Sequence, residues 1–223
     1  LIDGTVNVAY NDFESFHVTT TCFDAGLIDP NNAGIGIKIT SVHSFSYSSL
    51  PAGINGSSNQ ATYNSPANGC VAFTGIPTQI GVFSVSANFL ANVTAYPFGG
   101  GSCSGFPLNQ NNNAASYKLR LKIKPNPNFN LPNNVYCLND PVVSINLTGT
   151  PGGTFSGPGV IGNTFNPSLA GVGNHTIKYM VSAQQGAATA PAADSAFFSV
   201  QVVAPTYNYY VDADGDTYGD ENA

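Results

Sequence analysis

Apolar residues in this chain alternate with polar ones over short runs, and almost nowhere recur at helical spacing. A helix with one buried face needs apolar residues at i, i+3, i+4 and i+7, whereas alternation places them on one face of a strand. The runs 5–10, 16–22, 35–45, 70–74, 81–93 and 117–123 read as strands, bounded by clusters of Gly, Pro and Asn. After a break, strands resume at 142–147, 153–156, 164–166, 173–181 and 196–203. Composition agrees with an all-β chain. Charged residues make up only 8 %, so Asn, Ser, Thr and Gly carry the polarity, and the 24 Gly and 15 Pro suit many turns. With 42 % hydrophobic residues the chain can still build a core.

The break is KPNPNFNLPNN at 124–134, whose prolines deny ladder donors and stiffen the chain. It divides the sequence into a first domain at 1–124, a linker at 125–134, a second domain at 135–204 and an acidic motif at 205–223. Residues 96–115, rich in Gly, Cys and Asn, read as a long loop inserted in the first domain. The expected architecture is two β-sandwiches of immunoglobulin type in tandem. The chain has no Trp, so the Trp-on-disulfide core of antibody domains is ruled out.

The formal charge of −6 is unevenly placed. Residues 1–211 hold seven acids and six bases, a balance of −1, and the last twelve residues supply the other −5. Neither a nucleic-acid-binding patch nor a membrane-inserting run is expected. No signal peptide is evident, so the chain is expected to be a mature protein or a fragment of one. Low surface charge weakens repulsion between copies.

The run YNYYVDADGDTYGDENA places Asp212, Asp214, Asp216 and Asp220 at relative positions 1, 3, 5 and 9. Calcium takes six to eight oxygens, and alternate residues of a tight turn can aim carboxylates at one point. Tyr218, at position 7, would add a main-chain carbonyl. The competing reading is a solvated acidic tail. The motif departs from an EF-hand, since Thr217 stands at position 6 and Ala223 at position 12. The loop is therefore expected to be incomplete within these residues. Tyr207, Tyr209 and Tyr210 just before it read as packing for the loop's entry, with a sugar-stacking platform as the alternative.

Cys22, Cys70, Cys103 and Cys137 are widely spaced and form no CxxC or Cys/His cluster. An even count favours disulfides and an oxidising compartment. Three pairings are open; Cys70 with Cys103 is preferred, and Cys137 is the best candidate for a free thiol. Lys118, Arg120, Lys122 and Lys124 alternate along one strand, with Tyr117, Leu119, Leu121 and Ile123 on its other face. This is either a cationic stripe, for an acidic glycan or a neighbouring copy's acidic tail, or a solvated face whose lysines discourage edge pairing. The second reading is preferred, with Asp12 and Glu14 as cross-strand partners. His17, His43 and His175 lie far apart, and no nucleophile motif accompanies them. So few titratable groups argue against an enzyme.

The motif DADGDTYGD resembles the DxDGDxxGD calcium motif that follows Ig-like domains in large secreted proteins of the Bacteroidota, and more distantly the thrombospondin type 3 repeats. The second domain, with TGTPGGTFSGPGVIGNTFNPSLAGVGNHTIKY, resembles the Ig-like repeats of Bacteroidota cell-surface, gliding and adhesion proteins. Members often carry a second Cys late in the domain; none stands here, so Cys137 has no partner within it. The first domain, with LPAG at 50–53 and GCVAFTGIPTQIGVFSV at 69–85, resembles a different Ig-like family of similar proteins. These resemblances imply a secreted, glycosylated surface protein. Asp194-Ser195-Ala196 matches the sequence on which such bacteria place O-glycans, which makes Ser195 a candidate site. The expected function is a non-catalytic spacer or adhesin fragment that binds calcium, whose partners are further domains of the same polypeptide, other copies of itself, or glycans. One alternative is a self-assembling filament subunit, with LIDGTVNVAY as donor strand; another is a carbohydrate-binding appendage of a secreted hydrolase.

Overall fold

The computed structural model describes residues 1–182 and 193–206. The chain divides into two compact units, the first holding Leu1–Asn126 and the second Pro127–Ser182 with the strand that starts at Asp194. Among the described residues, regular structure is β apart from two short 3-10 turns and one helix.

In the first unit the strands are β1 (Gly4–Thr5), β2 (Tyr10–Val18), β3 (Phe23–Asp24), β4 (Gly36–Ser48), β5 (Ile54–Ser58), β6 (Thr62–Asn64), β7 (Ala67–Gly75), β8 (Gly81–Tyr96) and β9 (Leu108–Lys124). One sheet has the order β1-β9-β8-β4-β3, with β6 also on β4, and a smaller one has the order β2-β7-β5. All pairs are antiparallel except β1 on β9, where Gly4 stands opposite Ile123. Alternation in β8 and β9 turns Val85, Ala87, Leu119, Leu121 and Ile123 inward and leaves Lys118 and Arg120 exposed. Phe73, Val85, Leu121 and Ile123 are sealed from solvent, with Val6, Tyr10, Ile54 and Val71 around them. Each such side chain contributes about 1.5–3 kcal/mol of burial. A second cluster holds Val18, Val42, Tyr63 and Ala91, and the Tyr63 ring meets Phe16 and Phe45 edge-on at 4.9 and 5.5 Å.

The second unit contains β10 (Phe129–Asn130), β11 (Val135–Cys137), β12 (Val143–Ser144), β13 (Asn146–Leu147), β14 (Thr154–Ser156), β15 (Val160–Ile161), β16 (Thr164–Phe165), α1 (Pro167–Ala170), β17 (Gly173–Val181) and β18 (Asp194–Val203). One sheet runs β11-β18-β17-β14; β12-β16-β15 and β10-β13 form the others. Here too the first strand of the larger sheet is parallel to the last, with Val135 opposite Gln201. Helix α1 starts where the Asn166 side chain accepts the Ser168 and Leu169 N–H groups. Phe165, Ile177, Tyr179, Val200 and Val202 form the core. The Tyr179 hydroxyl donates to the Thr150 carbonyl and accepts the Gly153 N–H, both at 2.9 Å. A Cβ at Gly153 would lie 2.6 Å from that ring, which is why the turn carries glycine there.

Several boundaries differ from those read in the sequence. The expected strands 5–10 and 16–22 are instead β1, a turn through Asn7 at φ 59, and one long β2. Asp12 and Glu14 share the inward face of β2 with Tyr10, Phe16 and Val18, and so hide its apolar period. Asp12 accepts the Ile2 N–H and the Tyr10 hydroxyl. The expected loop 96–115 shrinks to 97–107, because Leu108 already belongs to β9. Its Asn-rich start has low strand propensity, but cross-strand bonds compensate: Thr94 Oγ1 donates to Asn109 Oδ1, and the Asn113 amide donates to the Ala91 carbonyl. The 125–134 segment is no free linker. Phe129 and Leu131 join the second unit's core, and Phe129 lies edge-on to Phe155 at 5.2 Å.

Candidate functional site

Asp212, Asp214, Asp216, Asp220, Tyr218 and the aromatic run 207–210 lie outside the described residues. Among the described residues no group of three or more His, Cys, Asp or Glu is arranged to hold a metal. The histidines are dispersed. His17 Nδ1 lies 2.7 Å from Asn68 Oδ1, His43 Nδ1 lies 2.9 Å from Ser44 Oγ, and His175 Nε2 lies 2.7 Å from the Gly171 carbonyl.

Cysteine pairing differs from the expected one. Cys103 is bonded to Cys22 across 81 residues, with Cα atoms 5.8 Å apart, while Cys70 and Cys137 are free. The reason is the course of the 97–107 loop, which folds back onto the start of β4. The Gly101 N–H donates to the Gly34 carbonyl at 2.8 Å, and a Cβ at Gly36 would sit 2.2 Å from the Ser102 carbonyl oxygen. Asp24 completes this corner by accepting the Gly26 and Gly34 N–H groups. Cys70 instead sits in β7, opposite Ser15.

The basic stripe lies on the outer face of β9. Its cross-strand neighbours are neutral: Ser86 opposite Lys118, Ser84 opposite Arg120, and Val82 opposite Lys122. Lys122 pairs with Asp3 at 3.0 Å. Asp12 and Glu14 are not its partners, because β2 pairs with β7 in the other sheet. Glu14 instead lies 3.0 Å from the Leu1 amine. Tyr117 shares the inward parity of Leu119, yet is 61 % exposed.

That exposure marks an opening. A cavity of about 270 Å³ lies between the two sheets of the first unit, and its walls include Phe16, Val18, Ile39, Val42, Phe89 and Tyr117. It is open because neither sheet is closed on this side. Among the described residues β2 pairs only with β7, and the outer edge of β9 is covered only by β1 at Gly4–Thr5. The Phe13 N–H donates to its neighbour Asp12 Oδ1 rather than to β7. On a period of two, the Ser15 and His17 amides turn toward the same free edge. An unpaired strand edge thus borders an apolar cleft, a feature that strand alternation alone does not reveal.

Ser195, the candidate O-glycan site, stands in a strand. It is the second residue of β18, half-buried, opposite Met180. No helix among the described residues is long and apolar enough to cross a membrane. No protein-family model matches the chain, and no curated protein does.

Proposed function

We propose that this chain is a non-catalytic, extracellular structural or adhesive segment built of two Ig-like sandwiches and a calcium loop. The observation that carries this reading is a strand order shared by the two units. The orders β9-β8-β4 and β18-β17-β14 support reading these strands as G, F and C of an Ig sandwich, and β2-β7-β5 and β12-β16-β15 support B, E and D. In both units a short first strand runs parallel to the strand at the G position. The Cys22–Cys103 disulfide is compatible with a secreted protein. Calcium held by Asp212, Asp214, Asp216 and Asp220, with the Tyr218 carbonyl, would neutralise the tail and stiffen the next junction. Binding stabilises that region by about 2.7 kcal/mol at one hundred times Kd. The test is hydrogen exchange with calcium and with EDTA, on the native chain and on Asp214→Ala and Asp216→Ala variants. Chelation or either substitution is expected to raise exchange at 207–223 alone. Melting of the two sandwiches on chelation would refute the reading.

Self-assembly is the second reading, favoured by the free β2 edge and the cleft beside it. The expected N-terminal donor strand is engaged within its own chain, where Gly4–Thr5 pair with β9 and Val6 and Tyr10 are buried.

A further inference from the structure

We infer that the outer face of β9 is an assembly contact that receives the acidic run 212–221 of a second copy of this chain. This inference rests on the self-assembly reading and places its contact on the larger sheet of the first unit. The charge of that sheet is one-sided. The neighbouring strands β9, β8 and β4 carry Lys38, Lys118, Arg120, Lys122 and Lys124, five of the chain's six bases, and contain no acid. Leu119, Leu121 and Ile123 point into the core, so Lys118, Arg120, Lys122 and Lys124 project from the opposite face. Alternate residues of a strand repeat at about 6.6 Å, which spreads these four bases over about 20 Å. Ser84 and Ser86 of β8 stand beside Arg120 and Lys118, and Ser48 of β4 lies opposite Ser86. Asp3 pairs with Lys122 at 3.0 Å, so the stripe already holds one carboxylate. Lys118 and Arg120 are exposed, and neither forms an ion pair with the described residues.

The sequence contains one segment complementary to this face. Five acids fall between Asp212 and Glu221, and no base does. Asp212, Asp214 and Asp216 alternate as the bases do, so an extended chain laid along the stripe would present them at the same repeat of about 6.6 Å. Direction favours a second copy. β18 runs parallel to β11, so the chain leaves the second unit heading as it did on entering at Val135, and the acidic run follows that exit. Joining this end of one copy to the first unit of the next uses different patches on the two copies. Such a head-to-tail contact builds open chains or rings. Calcium held by the same carboxylates would withdraw them from the stripe, so the test is run in EDTA.

The experiment is native mass spectrometry with sedimentation on the full chain at low salt, together with two variants. One carries Lys118→Glu with Arg120→Glu, and the other carries Asp212→Lys with Asp214→Lys. Lys118 and Arg120 are exposed, and the two aspartates follow the last described strand, so circular dichroism should not change. The native chain is expected to form dimers and longer oligomers, fewer as salt is raised. Each charge reversal should weaken association about tenfold, and mixing the two reversed chains should restore it. A native chain that stays monomeric overturns both the site and self-assembly. Association untouched by salt or by either reversal, or reversed chains that fail to rescue each other, overturns the site and leaves self-assembly standing.

Discussion

Replacing Cys22 and Cys103 together by Ser should destabilise the first unit and leave the second unchanged. The bond joins residues 81 apart, and closing a loop of that length removes about 15 cal/mol/K of chain entropy from the unfolded state, or about 4.5 kcal/mol at 25 °C. That is a large fraction of the 5–15 kcal/mol by which domains are typically stable. The site of the loss is also defined. Without the bond the 97–107 loop keeps only contacts such as Gly101 to Gly34, and the ends of β3 and β4 should open first. The assay is denaturant unfolding under non-reducing conditions, followed by far-UV circular dichroism and tyrosine fluorescence, since the chain has no Trp. The first unit's transition should move to lower denaturant, by the lost stability divided by m, while the second unit's stays in place. Coincident curves for the native and double-Ser chains would refute the reasoning. So would a peptide map in which Cys103 is linked to Cys70.

Two tyrosines should respond in opposite ways to loss of the hydroxyl. Tyr179→Phe strands the Thr150 carbonyl and the Gly153 N–H and should cost about 1–3 kcal/mol in the second unit, read from its denaturant midpoint. The Tyr47 hydroxyl is buried without a hydrogen-bond partner among the described residues, although Ser58 is close by. Tyr47→Phe should therefore leave the first unit's midpoint unchanged or raise it, and a loss above about 1 kcal/mol would show that Ser58 holds the hydroxyl. Burial, then the neighbouring Asp12, pushes the Tyr10 hydroxyl well above its ordinary value of 10.0. The folded state thus holds this proton more tightly than the unfolded one, so its contribution is intact below pH 10 and lost as pH rises above it. The first unit's midpoint should fall on the alkaline side of pH 10, and Tyr10→Phe should flatten that fall.

Strand content was legible wherever burial followed a clean period of two. Gly173–Val181 has the boundaries read from the sequence, because Ile177, Tyr179 and Val181 alternate inward against solvated partners. Residues 11–15 of β2 were missed because two of its inward residues are carboxylates, Asp12 and Glu14, whose partners at Ile2 and Leu1 become neighbours only on folding. The first half of β9 was missed because Asn and Gln mark loops in sequence, while here they bond across to β8.

The sequence by itself determined that this chain folds as β-structure, that its boundary region lies near the Pro/Asn run, and that its charge is gathered in one basic strand and one acidic run. Those properties are local, set by side-chain period, backbone restriction and the order of residues. Tertiary structure alone decided that Cys103 meets Cys22, that Asp3 rather than Asp12 or Glu14 answers Lys122, and that an apolar cleft stays open beside β2. Each depends on which strands become neighbours and which edge is left unpaired, and pairing between distant segments leaves no trace in the spacing of either one.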